Sequence, residues 1–209
     1  MSEKRELRIE VRRRARSFER GAADAPHVWV VLHGYGQLAS PFLDSCAALA
    51  RPERLLVAPE ALSRFYLRSG RGPVGASWMT REARDDELAD QVDYLDALVD
   101  EVAARGRLAS LSVLGFSQGV ATAWRWTLRS RHTVQRLVAF GGGIPPDLEL
   151  AAPKLRALQV VVATGEHDES FPPQAANADV ERLAGVAASC ERHVHGRGHE
   201  LDSTVLARL

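Results

Sequence analysis

Five short stretches of the chain are apolar almost throughout: VWVVL (28–32), RLLVA (54–58), SLSVL (110–114), RLVAF (136–140) and QVVVAT (159–164). Strands of that composition are covered on both faces, as in parallel sheets. A further run, LRIEV (7–11), alternates Leu7, Ile9 and Val11 with charged residues, which is the period of a half-buried edge strand. Longer segments with the helical period lie between the apolar runs. Leu88, Val92, Leu95, Val99 and Val102 form a stripe from about 85 to 104, and Val120, Ala121, Trp124 and Leu128 another from 118 to 130. Ser40-Pro41 opens a helix to about 50, and Pro172-Pro173 opens one from 173 to 185. CERHVH (190–195) reads as a last strand before a short helix reaching Leu209. Strands alternating with helices predict an α/β fold whose mainly parallel central sheet is flanked by helices. The polar front of the chain predicts antiparallel strands on one edge. No period of 20–50 residues repeats and no low-complexity linker divides the chain, so 209 residues are expected to form a single domain over 1–209.

Composition narrows the partners. Twenty-seven basic residues balance twenty-seven acidic ones, so neither nucleic acid nor a charged membrane surface is expected as the main partner, despite the basic run VRRRARSFER (11–20). Cys46 and Cys190 make no disulfide framework and lack metal-site spacing, which suits a reducing compartment. The opening MSEKRELRIE has no apolar signal core, and no apolar run approaches the ~18 residues of a membrane span. A cytoplasmic protein without stable membrane insertion is the expectation; oligomeric state is left open.

The fold has a chemical consequence. In an open parallel sheet the loops leaving the carboxyl ends of the strands share one edge, where ligands bind. Those loops read HGYGQ (33–37), a long segment 59–84, GFSQG (115–119), GGGIPP (141–146), GEHDESFP (165–172) and GRGHE (196–200). GFSQG, with an apolar strand before it and a helical pattern after, fits G-x-S-x-G, the strained turn that presents a nucleophilic serine, here Ser117. A serine hydroxyl needs a base and a group to hold that base. Among seven histidines, His199 lies in the loop after the last strand and is taken as general base, with His195 a distant second. Its carboxylate is assigned to Asp168 rather than Glu166 or Glu169, which read as solvated loop charges. The order Ser117, Asp168, His199 is that of the α/β-hydrolases. An oxyanion hole needs two donors; the backbone N–H groups of Gln118 and Tyr35 are assigned, with His33 bracing the loop. Three histidines in HVHGRGH raise a zinc reading, but a strand and loop spread the rings apart and no cysteine or carboxylate cluster completes it, so no metal and no cofactor are expected.

With LHGYG, SWM (77–79), GFSQG, GGGIPP, GEHDESFP and GRGH in place, the chain resembles the phospholipase/carboxylesterase family of small α/β-hydrolases, which includes acyl-protein thioesterases, over roughly residues 25–205. The resemblance implies the same triad and the same two oxyanion donors. It also implies a serine hydrolase acting on small-molecule esters of short to medium acyl chains, or on thioesters or lysophospholipids. Family members often carry Asp where this chain has Gln37, which bears on how the oxyanion loop is braced. The length leaves little room for a lid. Segment 60–84 exceeds the ~12–15 residues of an ordinary loop; Trp78 in it is read either as a pocket wall or as a core plug. Phe116 and Ile144 are the other expected pocket residues.

Overall fold

Strands that are apolar on both faces need a layer of helices on each side, and the computed structural model, which describes residues 3–209, has that arrangement. In chain order the strands are β1 (Ser17–Arg20), β2 (His27–Leu32), β3 (Arg54–Pro59), β4 (Ser63–Arg68), β5 (Arg71–Ser77), β6 (Ser110–Phe116), β7 (Arg136–Phe140), β8 (Gln159–Gly165) and β9 (Ser189–His195). The helices are α1 (Ala39–Ser45), α2 (Arg84–Ala103), α3 (Gln118–Arg129), α4 (Pro173–Leu183) and α5 (Ser203–Arg208). Seven strands form one sheet in the order β1-β3-β2-β6-β7-β8-β9. All its pairings are parallel except β1 with β3. The fold is that of the α/β-hydrolases.

Side-chain alternation divides the core into two layers. Val28, Val30 and Leu32 of β2, with Leu111 and Val113 of β6, meet Leu95 and Val99 of α2 and Val120, Ala123 and Trp124 of α3. On the opposite face Trp29, Val31, Leu114, Phe116 and Phe140 meet Phe42 and Leu43 of α1 and Val205 and Leu206 of α5. Each fully buried side chain of this size contributes about 1.5–3 kcal/mol, so the strand register is held from both faces.

Three expectations need correction. Residues 7–11 form no strand: Leu7, Ile9 and Val11 are exposed, and the edge strand is β1, where Phe18 packs on the core. Alternation alone does not bury a segment that has no sheet edge beside it. Segment 59–84 is not an irregular loop, since β4 and β5 pair antiparallel as a hairpin. Its turn uses Gly70 at φ +70°, and Gly72 at the start of β5 has φ +86°, a conformation that glycine adopts without steric cost. Glu60 anchors the hairpin base. Its buried carboxylate accepts Arg16 Nε at 2.6 Å and Arg64 Nη1 at 3.1 Å. Burial pushes this carboxyl up, but the Arg16 and Arg64 hydrogen bonds outweigh burial and hold it below its ordinary value. Helix α1 is shorter than expected and is followed by a separate 3-10 turn at Ala47–Leu49.

Candidate active site

Ser117 sits where β6 passes into α3, with φ 52° and ψ −117°. A positive φ is unusual for a residue with a Cβ and costs on the order of 1–3 kcal/mol. The flanking glycines make the turn possible: a Cβ on Gly115 would lie 2.4 Å from Gly119 O, and one on Gly119 would lie 2.2 Å from Leu32 O. The turn aims the Ser117 hydroxyl outward at the carboxyl edge of the sheet.

His199 reaches that hydroxyl from the loop after β9. Its Nε2 lies 2.9 Å from Ser117 Oγ and its Nδ1 lies 2.8 Å from Asp168 Oδ2. A carboxylate only accepts hydrogen bonds, so Nδ1 carries the proton and Nε2 is free to accept the one on Ser117 Oγ. The loop after β8 supplies Asp168, whose side chain is 1% exposed against 29% for His199. Its other oxygen accepts the N–H groups of Ser170 at 2.9 Å and Phe171 at 2.8 Å, so the carboxylate cannot rotate away. Glu166 and Glu169 are exposed. The two loops interlock, with Glu166 N–H donating to His195 O at 2.7 Å and His167 N–H to Arg197 O at 3.0 Å.

The HGYGQ loop lies against the serine: a Cβ on Gly34 would be 3.3 Å from Ser117 Cβ. Gly34 N–H donates to Gln37 Oε1 at 2.7 Å and Gly36 N–H to Ala76 O at 2.9 Å. Tyr35 N–H, between them, has no acceptor among the described residues. Gln118 N–H opens α3, where helix N–H groups have no intrahelical acceptor and negative charge is favoured. His33 is buried. Its Nε2 accepts Ala61 N–H at 3.1 Å, so its Nδ1 proton donates to Gly34 O at 2.8 Å. Burial holds this imidazole below the ordinary histidine range, which keeps the brace neutral.

The remaining expected residues lie deeper. Phe116 is buried, its ring centroid 5.0 Å from that of His199. Ile144 is buried in the GGGIPP loop, its N–H held by Asp179 Oδ2 at 2.8 Å. Trp78 is 3% exposed and donates its indole N–H to His33 O at 2.8 Å. The histidines of HVHGRGH diverge. His199 joins Ser117, His195 packs on Phe140 at 5.4 Å, and His193 lies 3.6 Å from Glu191. Among the described residues no group of three or more His, Cys, Asp or Glu side chains could hold a metal. Likewise, no helix there is long and apolar enough to cross a membrane.

Gln37, which the sequence marks as standing where family members often carry Asp, braces the HGYGQ loop through its side-chain carbonyl. Sequence reasoning missed two positioning groups for want of a signal. Asp179, in mid-helix, gave none. Nor did Arg125, a buried guanidinium that forks onto Asp147 at 2.7 and 3.1 Å. That fork, with Arg84 at 3.0 Å, holds the Asp147 carboxyl well below the usual carboxylate range and ties the stretch after Pro146 to α3.

The sequence profile of the phospholipase/carboxylesterase family matches residues 16–209. The chain belongs to this family. Membership makes it a hydrolase of the carboxylesterase and thioesterase kind. Among solved structures it is similar in fold to Zea mays acyl-protein thioesterase 2, at 17% identity and TM-score 0.70, covering 90% of this chain and 93% of that one. A phospholipase/carboxylesterase from Dyadobacter fermentans aligns at 22% identity and TM-score 0.68, covering 93% and 95%. A carboxylesterase from Mesorhizobium loti aligns at 18% and 0.69, covering 90% and 88%. No curated protein matches the sequence.

Proposed function

We propose that this family member is a serine hydrolase that cleaves carboxylic esters of short to medium acyl chains through an acyl-enzyme on Ser117. The observation that carries the reading is the unbroken hydrogen-bond chain from Ser117 Oγ through the His199 ring to Asp168, at 2.9 and 2.8 Å, with the serine on a strained turn. In the reaction Ser117 Oγ bonds the ester carbonyl carbon as its proton passes to His199 Nε2. Tyr35 N–H and Gln118 N–H receive the oxyanion. Collapse of the tetrahedral intermediate breaks the bond to the alcohol oxygen, which takes the proton from Nε2 and leaves. Water then adds to the acyl-enzyme, giving a proton to Nε2. The second collapse releases the acid and returns that proton to Ser117 Oγ.

The partly exposed His199 supports an open site reached by small esters. At its rim Tyr35 is 61% exposed and its ring lies 5.2 Å from that of Phe65, an apolar surface suited to an acyl or alcohol group. Phe116 and Ile144 are proposed as the pocket floor. Thioester cleavage is the nearest second reading. It is favoured by the fold shared with the maize acyl-protein thioesterase, since the acyl-enzyme chemistry is common and only the leaving group differs.

Ser117→Ala is expected to abolish p-nitrophenyl ester hydrolysis, and a fluorophosphonate probe is expected to label Ser117 in the folded protein. Retained turnover in the variant would refute the nucleophile. Absence of an adduct would favour a binding module on a hydrolase fold instead. Oxygen esters and thioesters of graded acyl length, assayed in parallel, decide between the two substrate classes.

A further inference from the structure

The side chain of Gln118 does not face the serine. Its Oε1 accepts the backbone N–H of Trp78 at 3.0 Å, and its Nε2 donates to Met79 O at 3.0 Å and to Ser77 Oγ at 3.2 Å. The same short segment also holds the HGYGQ loop. Ala76 exchanges two backbone bonds with it, accepting Gly36 N–H at 2.9 Å and donating to Gln37 O at 3.1 Å. The Trp78 indole N–H donates to His33 O at 2.8 Å, and the Trp78 ring lies 5.1 Å from the His33 ring. The fit is close: a Cβ on Gly75 would lie 2.4 Å from Gly36 O. From behind, Trp78 O accepts Gln91 Nε2 of α2, and Gln91 Oε1 accepts Thr122 Oγ1 of α3 at 3.1 Å.

The two backbone N–H groups proposed to meet the oxyanion belong to chain segments that do not bond to each other by their own backbones. One is on the loop after β2 and the other opens α3. Both are fastened to residues 76–79. Two donors stabilise one oxygen only at a fixed separation, and they act without reorganisation only if that separation is set beforehand. We propose that the end of β5 with the two residues after it, Ala76 to Met79, is a strut that sets the spacing of the oxyanion donors, with the Gln118 side chain and the Trp78 indole as positioning residues. This rests on the ester-hydrolysis reading above. It also gives a physical reason for glutamine after the serine and for tryptophan between Ser77 and Met79. Gln118 bonds to the strut, and Trp78 bonds from the strut to His33 O; an apolar residue of the same size could make neither contact.

The test uses Gln118→Met, which keeps the bulk and removes three hydrogen bonds, and Trp78→Phe, which keeps an aromatic ring and removes the indole N–H. Circular dichroism and urea midpoints establish that each variant is folded. Amide hydrogen exchange over residues 33–38 is expected to quicken by roughly tenfold in either variant, because local opening there becomes easier. The kcat for a p-nitrophenyl ester is expected to fall by about 10- to 100-fold with KM within about twofold, since a misplaced donor weakens the transition state and leaves ground-state binding alone. The double variant should lose less than the product of the two single losses, because both act through one strut. Unchanged exchange across 33–38, or a loss carried by KM alone, would overturn the proposal. So would collapse of both variants, which would make these bonds a folding requirement. An unaltered protein that hydrolyses no ester and takes no fluorophosphonate sinks the esterase reading instead; exchange at 33–38 still decides the strut.

Discussion

Asp168 and Glu166 lie two residues apart in one loop, yet only one is built into the site. Asp168 is buried and accepts three hydrogen bonds, from His199, Ser170 and Phe171, whereas Glu166 is solvated. Asp168→Asn presents an amide that can no longer hold the His199 tautomer in which Nε2 is the acceptor, so kcat is expected to fall by about 10⁴-fold. Glu166→Gln should leave kcat within about twofold, as surface charges away from the reacting atoms contribute little. Steady-state kinetics on the two variants checks the assignment, and the reverse pattern would make Glu166 the acid. The Asp168 loop was legible as a turn with three candidate carboxylates. Which carboxylate faces the histidine depends on the interlock with the loop after β9, formed by residues some thirty positions later.

The β4–β5 hairpin shows the same dependence at the level of an element. Its strands RFYLR and RGPVG carry no clean two-residue period, so no edge preference could be read from them. Pairing is imposed by the glycine turn at one end and by the buried Glu60 carboxylate at the other. Glu60→Ala removes the buried charge and leaves arginines that are half exposed, 51% for Arg16 and 40% for Arg64. The cost is therefore nearer that of lost charged hydrogen bonds, about 1–3 kcal/mol, than that of an orphaned buried ion. Urea denaturation measures it, and a change under a few tenths of a kcal/mol would remove Glu60 as the anchor. The helices α2 and α3 were legible within two residues at either end because their apolar stripes meet a sheet that offers only one face to each, and α4 was legible to the same margin from its opening Pro172-Pro173. LRIEV had the right period and no partner strand.

For the whole molecule the buried histidines give stability a pH dependence. Burial lowers His33 and His195 below the ordinary histidine value of 6.5. The neighbouring Asp202 and Glu200 only partly offset this for His195, neither of whose ring nitrogens has a hydrogen-bond partner among the described residues. The unfolded chain therefore binds these protons more readily than the folded one. The stability that the neutral rings contribute is complete above about pH 6.5 and is lost as pH falls below that value toward the depressed folded ones. Glu60 acts in the same direction but only below its ordinary 4.5, so a fall in urea midpoint between pH 7 and 5 reports the histidines. His195→Phe, which places an apolar ring beside Phe140, should flatten part of that slope. A midpoint constant across this range would contradict the argument.

At this scale the division between sequence and tertiary structure is clear. Periodicity alone determined the alternation of strands and helices, the parallel core and the edge on which the loops gather, because burial on two faces leaves few other arrangements. Local chemistry determined the serine turn, since Gly115 and Gly119 have a physical reason to flank it wherever strand meets helix. Distances between loops were decided only in three dimensions: His199 on Ser117, the Asp168 carboxylate behind it, Gln37 closing on Gly34, and the Gln118 amide on residues 77–79. Those contacts join segments up to 82 positions apart, and their strength depends on angles and burial that no spacing along the chain encodes.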